Sequence, residues 1–143
     1  MRLSFVVSGE DFSLAGRASS ELKRALGRLG VHPEAARRAA IAMYEGEINM
    51  AIHAGGGLAE ADIDGDGVVI TLRDSGPGIP DIELAMTEGW STASSRYREM
   101  GFGAGMGLPN MKRNSDAFEI ESEVGKGTRI RMVIRYPAAG ESP

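Results

Sequence analysis

Three groups of residues have the types and spacing to do chemistry. The first is Asp74-Ser75-Gly76-Pro77-Gly78-Ile79-Pro80, which follows an apolar stretch and joins a carboxylate to two glycines and two prolines. An Asp at the end of a buried strand is a good acceptor for an exocyclic amine. The glycines permit tight turns and close ligand approach, and the prolines stiffen the loop. The same composition also suits an ordinary strand-to-helix turn. The second is Gly101-Phe102-Gly103-Ala104-Gly105-Met106-Gly107-Leu108, with four glycines at alternate positions opening a helix. Backbone N–H groups at the positive end of a helix dipole bind phosphate. The run lacks the Gly-Lys-Ser/Thr ending of a Walker loop, and no strand leads straight into it as a dinucleotide fingerprint requires. Taken alone it also fits a hinge. The third is Glu45 and Asn49, four residues apart and therefore on one helix face. Beside a phosphate site, an Asn oxygen can ligate Mg2+, and a neighbouring carboxylate can take a proton from an attacking hydroxyl or water. A solvated helix face shows the same spacing. Glu47 falls off that face and is expected in solvent.

The elements that must position these residues follow from hydrophobic periodicity. Leu3–Val7 reads as a short strand. From Asp11, residues Phe12, Ala15, Ala18, Leu22, Ala25, Leu26 and Leu29 recur at helical steps, with Gly30 as the stop. Pro33 opens a second helix to about Ala54, with Ala36, Ala39, Ala40, Met43, Ile48 and Ile52 for its buried side and Gly55–Gly57 ending it. Leu58–Asp64 and Val68–Arg73 flank Gly65-Asp66-Gly67 as a hairpin. Asp81 can cap a short helix to about Glu88. Trp90–Ala104 has no clear period and reads as a loop. A helix from about Gly105 to Asn114 precedes strands near Phe118–Glu123 and Thr128–Tyr136, separated by Gly125-Lys126-Gly127. This order predicts one α+β domain over residues 1–137, with 138–143 as a flexible tail. Its architecture is a two-layer α/β sandwich: a mixed, mostly antiparallel sheet covered by helices on one face.

Composition narrows the function classes. Glycine supplies 20 of 143 residues, about twice the usual ~7%. With 6 prolines, 42% hydrophobic residues and no Gly-X-Y period, the excess belongs to backbone geometry inside a folded domain. The net charge of −4 divides unevenly: +3 over residues 1–40, −8 over 41–100 and +1 over 101–143. Only a modest basic concentration marks the first two helices, which argues against a nucleic-acid partner. No apolar run approaches the ~20 residues of a membrane span, and the N-terminus does not read as a secretory signal. The absence of cysteine excludes disulfides, thiolate metal sites and cysteine nucleophiles. A cytoplasmic protein is the simplest expectation.

In order and spacing, the three groups resemble the N-box, G1 box and G2 box of the GHKL (Bergerat-fold) ATPase and kinase superfamily. Gly125-Lys126-Gly127-Thr128 fits its closing Gly-Thr element, so the resemblance covers essentially the whole chain. Its compact length favours the bacterial anti-sigma and switch serine/threonine kinase group. Asp81–Thr92 and Gly107-Leu108-Pro109-Asn110-Met111-Lys112-Arg113 look most like the RsbT pattern within the RsbT, RsbW and SpoIIAB branch. The resemblance implies ATP and Mg2+ as cofactors. It implies that Asp74 accepts from the adenine amino group, Gly78 admits the base and Thr128 supports that contact, with Gly76 in the same loop. Asn49 would hold the Mg2+ and Glu45 would be the base toward a protein Ser/Thr hydroxyl. Gly101, Gly103, Gly105, Met106, Gly107 and Leu108 would form the lid over the phosphates. Lys112, Arg96 and Arg98 are candidate cationic helpers, with solvated surface charge as the alternative. The implied partner is a STAS-domain antagonist, a sigma factor or a phosphatase, and a homodimer stays open. A nucleotide-gated binding module without essential catalysis is the rival reading. Only His32 and His53 exist, and His53 is expected to pack rather than accept phosphate. Two features depart from the pattern: Gly46 inside a helix, for which a close backbone contact is one explanation, and a long lid, Ser91–Met100.

Overall fold

The computed structural model describes residues 1–10, 14–87 and 107–137. Five strands, β1 (Arg2–Ser8), β2 (Gly56–Ile63), β3 (Gly67–Asp74), β4 (Ala117–Glu123) and β5 (Gly127–Arg135), form one sheet in the order β1-β2-β3-β5-β4. All four pairings are antiparallel, so the anticipated mixed sheet contains no parallel pair among the described strands. Alternation does the layering. Ala59, Ala61, Ile63, Val68, Ile70, Leu72, Ile130, Met132 and Ile134 are buried. Their neighbours on the other face include Arg2, Glu60, Asp62, Glu119 and Arg131, which form exposed or half-exposed ion pairs. β1 and β4 are the edges.

Helices α1 (Arg17–Arg28), α2 (Pro33–His53), α3 (Ile82–Ala85) and α4 (Gly107–Arg113) follow the anticipated segments, with shorter ends. The expected helix start at Asp11–Ser13 and the loop Trp90–Ala104 lie outside the described residues, as do the expected end of α3 at Glu88, Gly105–Met106 and the tail. α1 buries Ala18, Leu22, Ala25 and Leu26 at three- and four-residue steps. It stops where Gly30 takes φ 73° and Val31 N–H donates to Leu26 C=O at 3.0 Å, a 6→1 closure that left-handed glycine permits. α2 opens on Pro33, which gives up no needed donor at the first helical position. His32 caps it, its Nδ1 accepting from Glu34 N–H at 3.1 Å. Asp81 caps α3 as expected, accepting from Leu84 N–H at 3.0 Å.

α2 is the central helix, and it corrects two expectations. Glu47 is not in solvent: it is 4% exposed and accepts from the N–H of Ala18 at 2.7 Å and of Ser19 at 3.2 Å. α1 begins after Gly16, which has no side chain to cap it. The orphan donors of its first turn therefore find their acceptor on the neighbouring helix. Gly46 is explained by a side chain rather than by backbone: an added Cβ would lie 2.3 Å from Leu72 Cδ1. Glycine lets α2 settle directly onto β3.

Candidate functional site

The described site residues fall into two groups that share α2. At one, Glu45 is half-buried on α2, and its Oε1 accepts from Asn110 Nδ2 on α4 at 3.2 Å. Its Oε2 would lie 3.7 Å from a Cβ on Gly107, the first residue of α4. The carboxylate thus sits at the opening of the helix that follows the glycine-rich run. Burial pushes its pKa up, and the Asn110 hydrogen bond opposes this. Asn49 lies one turn further along α2, also half-buried.

The second group gathers around Asp74 at the end of β3. Its Oδ1 accepts from Gly76 N–H at 3.0 Å and from Thr128 N–H at 3.2 Å. Its Oδ2 takes no hydrogen bond from the described residues. Gly127 makes this possible: at φ 132°, with a Cβ position only 2.1 Å from Asp74 C=O, no other residue would bring β5 so close. Ser122 locks the loop in place. Its hydroxyl accepts from Ile79 N–H at 2.7 Å and lies 2.8 Å from the Thr128 hydroxyl and 3.1 Å from Gly127 C=O. Gly78 adopts φ 78° and would meet Glu123 C=O at 2.4 Å through any Cβ, so contact with the β4–β5 turn already requires glycine there. Gly76 abuts Ala54 at the end of α2, which ties the Asp74 loop to the helix carrying Glu45 and Asn49.

The remaining candidates separate. Gly101, Gly103, Gly105 and Met106, with Arg96 and Arg98, lie outside the described residues. Leu108 is 7% exposed and its side chain belongs to the hydrophobic core, where it anchors α4. Lys112 is exposed near the end of α4. His53 is half-buried and burial lowers its pKa, in keeping with a packing residue. Asn110 and Ser122 were not singled out from the sequence. A groove between β1 and the start of α1 is lined by Phe5, Val7, Leu14, Arg17, Glu21 and Glu47. It contains neither Glu45 nor Asp74, and Glu47 is already committed to α1.

These groups fit a nucleotide whose base carries an exocyclic amine. A free carboxylate oxygen at Asp74 suits an exocyclic N–H. No cluster of three His, Asp or Glu among the described residues could hold a metal alone. Asn49 suits Mg2+ nonetheless, because that ion takes one or two protein oxygens and completes its shell with phosphates and water. A family model for the histidine kinase-, DNA gyrase B- and HSP90-like ATPases matches residues 33–138. The chain belongs to that family.

Within this ATPase family, the chain is 41% identical over 73 residues to the serine/threonine-protein kinase RsbT of Bacillus subtilis (strain 168), covering 51% of this chain and 49% of that protein. It is 42% identical over 72 residues to an anti-sigma F factor of Geobacillus stearothermophilus, covering 50% and 46%. The matches thus span about half the length of these curated relatives. Among solved structures, the mycobacterial sensor histidine kinase MprB superposes with a TM-score of 0.53 over 95% of this chain and 98% of that one. At 18% identity this shows the shared fold. No helix among the described residues is long and apolar enough to cross a membrane.

Proposed function

We propose that the chain is an ATP-dependent protein serine/threonine kinase of the anti-sigma or switch type. It would transfer the γ-phosphoryl group of ATP to a Ser or Thr hydroxyl of a regulatory partner. The observation that carries this reading is the Glu45 carboxylate: one oxygen is held by Asn110 and the other turned toward Gly107. Partial burial raises its proton affinity, which brings a carboxylate closer to the working range of a general base. In the reaction, the partner's hydroxyl oxygen bonds to phosphorus as the bond to the ADP oxygen breaks, and Glu45 accepts the hydroxyl proton. Asp74 Oδ2 accepts from the adenine amine, with Gly76, Gly78 and Thr128 shaping that end of the pocket. Asn49 would hold Mg2+, which when bound would supply charge neutralisation at the phosphates. Backbone N–H groups of Gly101, Gly103, Gly105, Met106 and Gly107 receive the phosphates. Most catalysis of phosphoryl transfer is positioning and charge neutralisation, so these residues matter as much as the base.

The similarity to RsbT supports the kinase reading, and that to anti-sigma F factors supports a regulatory protein partner; a cytoplasmic setting is part of the same proposal. It also favours a second reading, a nucleotide-gated module that sequesters its partner without needing catalysis. Both use Asp74; only the first needs Glu45. The test supplies γ-labelled ATP, Mg2+ and a panel of small STAS-domain proteins. Label should reach a partner Ser or Thr, and Glu45→Ala should reduce transfer by roughly 100-fold or more, the usual contribution of a general base. Equal labelling by the variant would remove Glu45 from the base role. Retained partner regulation in a variant without transfer would favour the binding module.

A further inference from the structure

Glu45 is not held by the helix that carries it. Its one hydrogen bond among the described residues comes from Asn110, 65 residues away on α4. The Asn110 side chain is itself fixed. Its Oδ1 accepts from Arg113 Nη1 at 2.8 Å, one helical turn further along. A guanidinium can only donate, so the amide oxygen must face Arg113 and the amide nitrogen must face Glu45. A cationic donor on Oδ1 also polarises the amide and strengthens Nδ2 as a donor. The Asn110 C=O accepts from Asn114 N–H at 3.1 Å and Nδ2 at 2.9 Å, which secures the end of α4. The geometry points to Asn110, braced by Arg113, as the positioning residue for the Glu45 carboxylate.

The bond leaves Glu45 one oxygen to work with. Oε1 is occupied, while Oε2 faces Gly107. Because Asn110 rides on the helix that begins at Gly107, the orientation of Glu45 depends on how α4 is seated against α2. A base aimed by α4 is thereby kept beside Gly107, the first residue of that helix. The catalytic consequence rests on the proposed role of Glu45 as base; the bond itself does not.

The experiment uses the full chain and has two arms. In the first, 15N–1H spectra follow the Asn110 side-chain amide, assigned by its disappearance in Asn110→Leu. The amide protons should shift in Glu45→Gln and in Arg113→Leu. An amide unmoved by Glu45→Gln overturns the proposal, whether or not the chain transfers phosphate. In the second, release of labelled phosphate from Mg-ATP is measured for Asn110→Leu, Glu45→Gln and the double variant. Asn110→Leu should slow turnover about 10-fold, part of the roughly 100- to 10,000-fold that a general base contributes. ATP affinity should stay within about twofold, and the loss should vanish in the Glu45→Gln background because both act on one group. Asn110→Asp keeps the shape but replaces the donor with a like charge, so it should cost at least as much. Full activity of Asn110→Asp, or an undiminished cost in the Glu45→Gln background, would place Asn110 outside this role. If the wild-type chain releases and transfers no phosphate, the kinase reading falls and the amide spectrum still decides the bond.

Discussion

Substitution of Glu47 separates the value of a charge from the value of an acceptor. The carboxylate, 4% exposed, accepts from Ala18 N–H at 2.7 Å and Ser19 N–H at 3.2 Å. Glu47→Ala leaves both donors without that partner, and a buried unsatisfied group costs about 1–3 kcal/mol. The favourable interaction of a carboxylate with the α1 N-terminus, about 0.3–1 kcal/mol, is also lost. Opposing this, alanine spares the desolvation of a carboxylate, which is the largest cause of the raised Glu47 pKa. The expected net loss is about 2 kcal/mol, within the range for removal of a buried partner. Glu47→Gln keeps the length and one acceptor oxygen while removing the charge. Ala18 N–H and Ser19 N–H use different oxygens, so one of them then faces the amide NH2; with the desolvated charge removed, the Gln variant should lose about 1 kcal/mol, less than Ala. The assay is urea unfolding, read as a change in midpoint at constant slope.

The sign of the pH dependence follows from the same burial. A folded carboxyl that titrates above its unfolded counterpart holds more protons between the two midpoints. Its contribution to stability is complete at low pH and falls as pH rises from the ordinary carboxylate range through the folded midpoint. Wild type should lose this increment relative to Glu47→Gln across that window. A Gln variant as unstable as Ala would show that one acceptor oxygen at this position does not hold α1. An Ala variant within about 0.5 kcal/mol of wild type, the range of a surface substitution, would show that nothing is held there.

Three further outcomes are expected. In Asp74→Asn, the two backbone donors fix the remaining oxygen as Oδ1 and turn the new NH2 toward the adenine amine. ATP affinity by calorimetry should fall about 10-fold or more, the equivalent of a lost charged hydrogen bond, with the melting temperature retained; unchanged affinity would remove Asp74 from the nucleotide site. Gly46→Ala gains about 1 kcal/mol of helix propensity but overpacks Leu72 at 2.3 Å. It should destabilise by about 1–2 kcal/mol, less in a Leu72→Val background; additive effects in that cycle would contradict the contact. Phosphate release should rise with pH along a limb displaced above the ordinary glutamate range, because burial raises Glu45, and Glu45→Gln should lack that limb.

The elements with one buried face were legible from sequence. α1 shows Ala18, Leu22, Ala25 and Leu26 at helical spacing, and β3 and β5 alternate buried Val68, Ile70, Leu72 with Ile130, Met132, Ile134. The described turns were legible through their turn chemistry, down to the Asp81 cap. What escaped depends on contacts between distant segments. Glu47 looked solvated because helix-face arithmetic assumes one buried side, whereas α2 buries residues around much of its circumference, from Ala35 and Ala36 to Met50 and Ala51. The roles of Asn110, quoted only within the Gly107–Arg113 run, and of Ser122 gave no signal because the contacts that define them, with Glu45 and Ile79, span 65 and 43 residues. The His32 cap had a signal, since it directly precedes a proline at the first helical position.

Three consecutive residues of α2 show why chemistry sits on this helix. Successive side chains turn by about 100°, so Glu45, Gly46 and Glu47 address three neighbours: α4, β3 and α1. Gly46 sets how closely the helix approaches the sheet, through Leu72. Glu47 sets how α1 meets it, through two backbone N–H groups. Glu45, the residue just before them, sits on a backbone that both contacts fix and needs only Asn110 to fix its side chain. The division of labour gives an asymmetric expectation. Changes at Gly46 or Glu47 displace the backbone beneath Glu45 and should impair stability and turnover together. A change at Glu45 removes one half-buried hydrogen bond to an Asn110 that is already held within its own helix, so Glu45→Gln should lose turnover while unfolding at nearly the wild-type urea midpoint. A large stability loss in Glu45→Gln would mean that the carboxylate is part of the scaffold, and the separation of scaffold from chemistry along α2 would not hold.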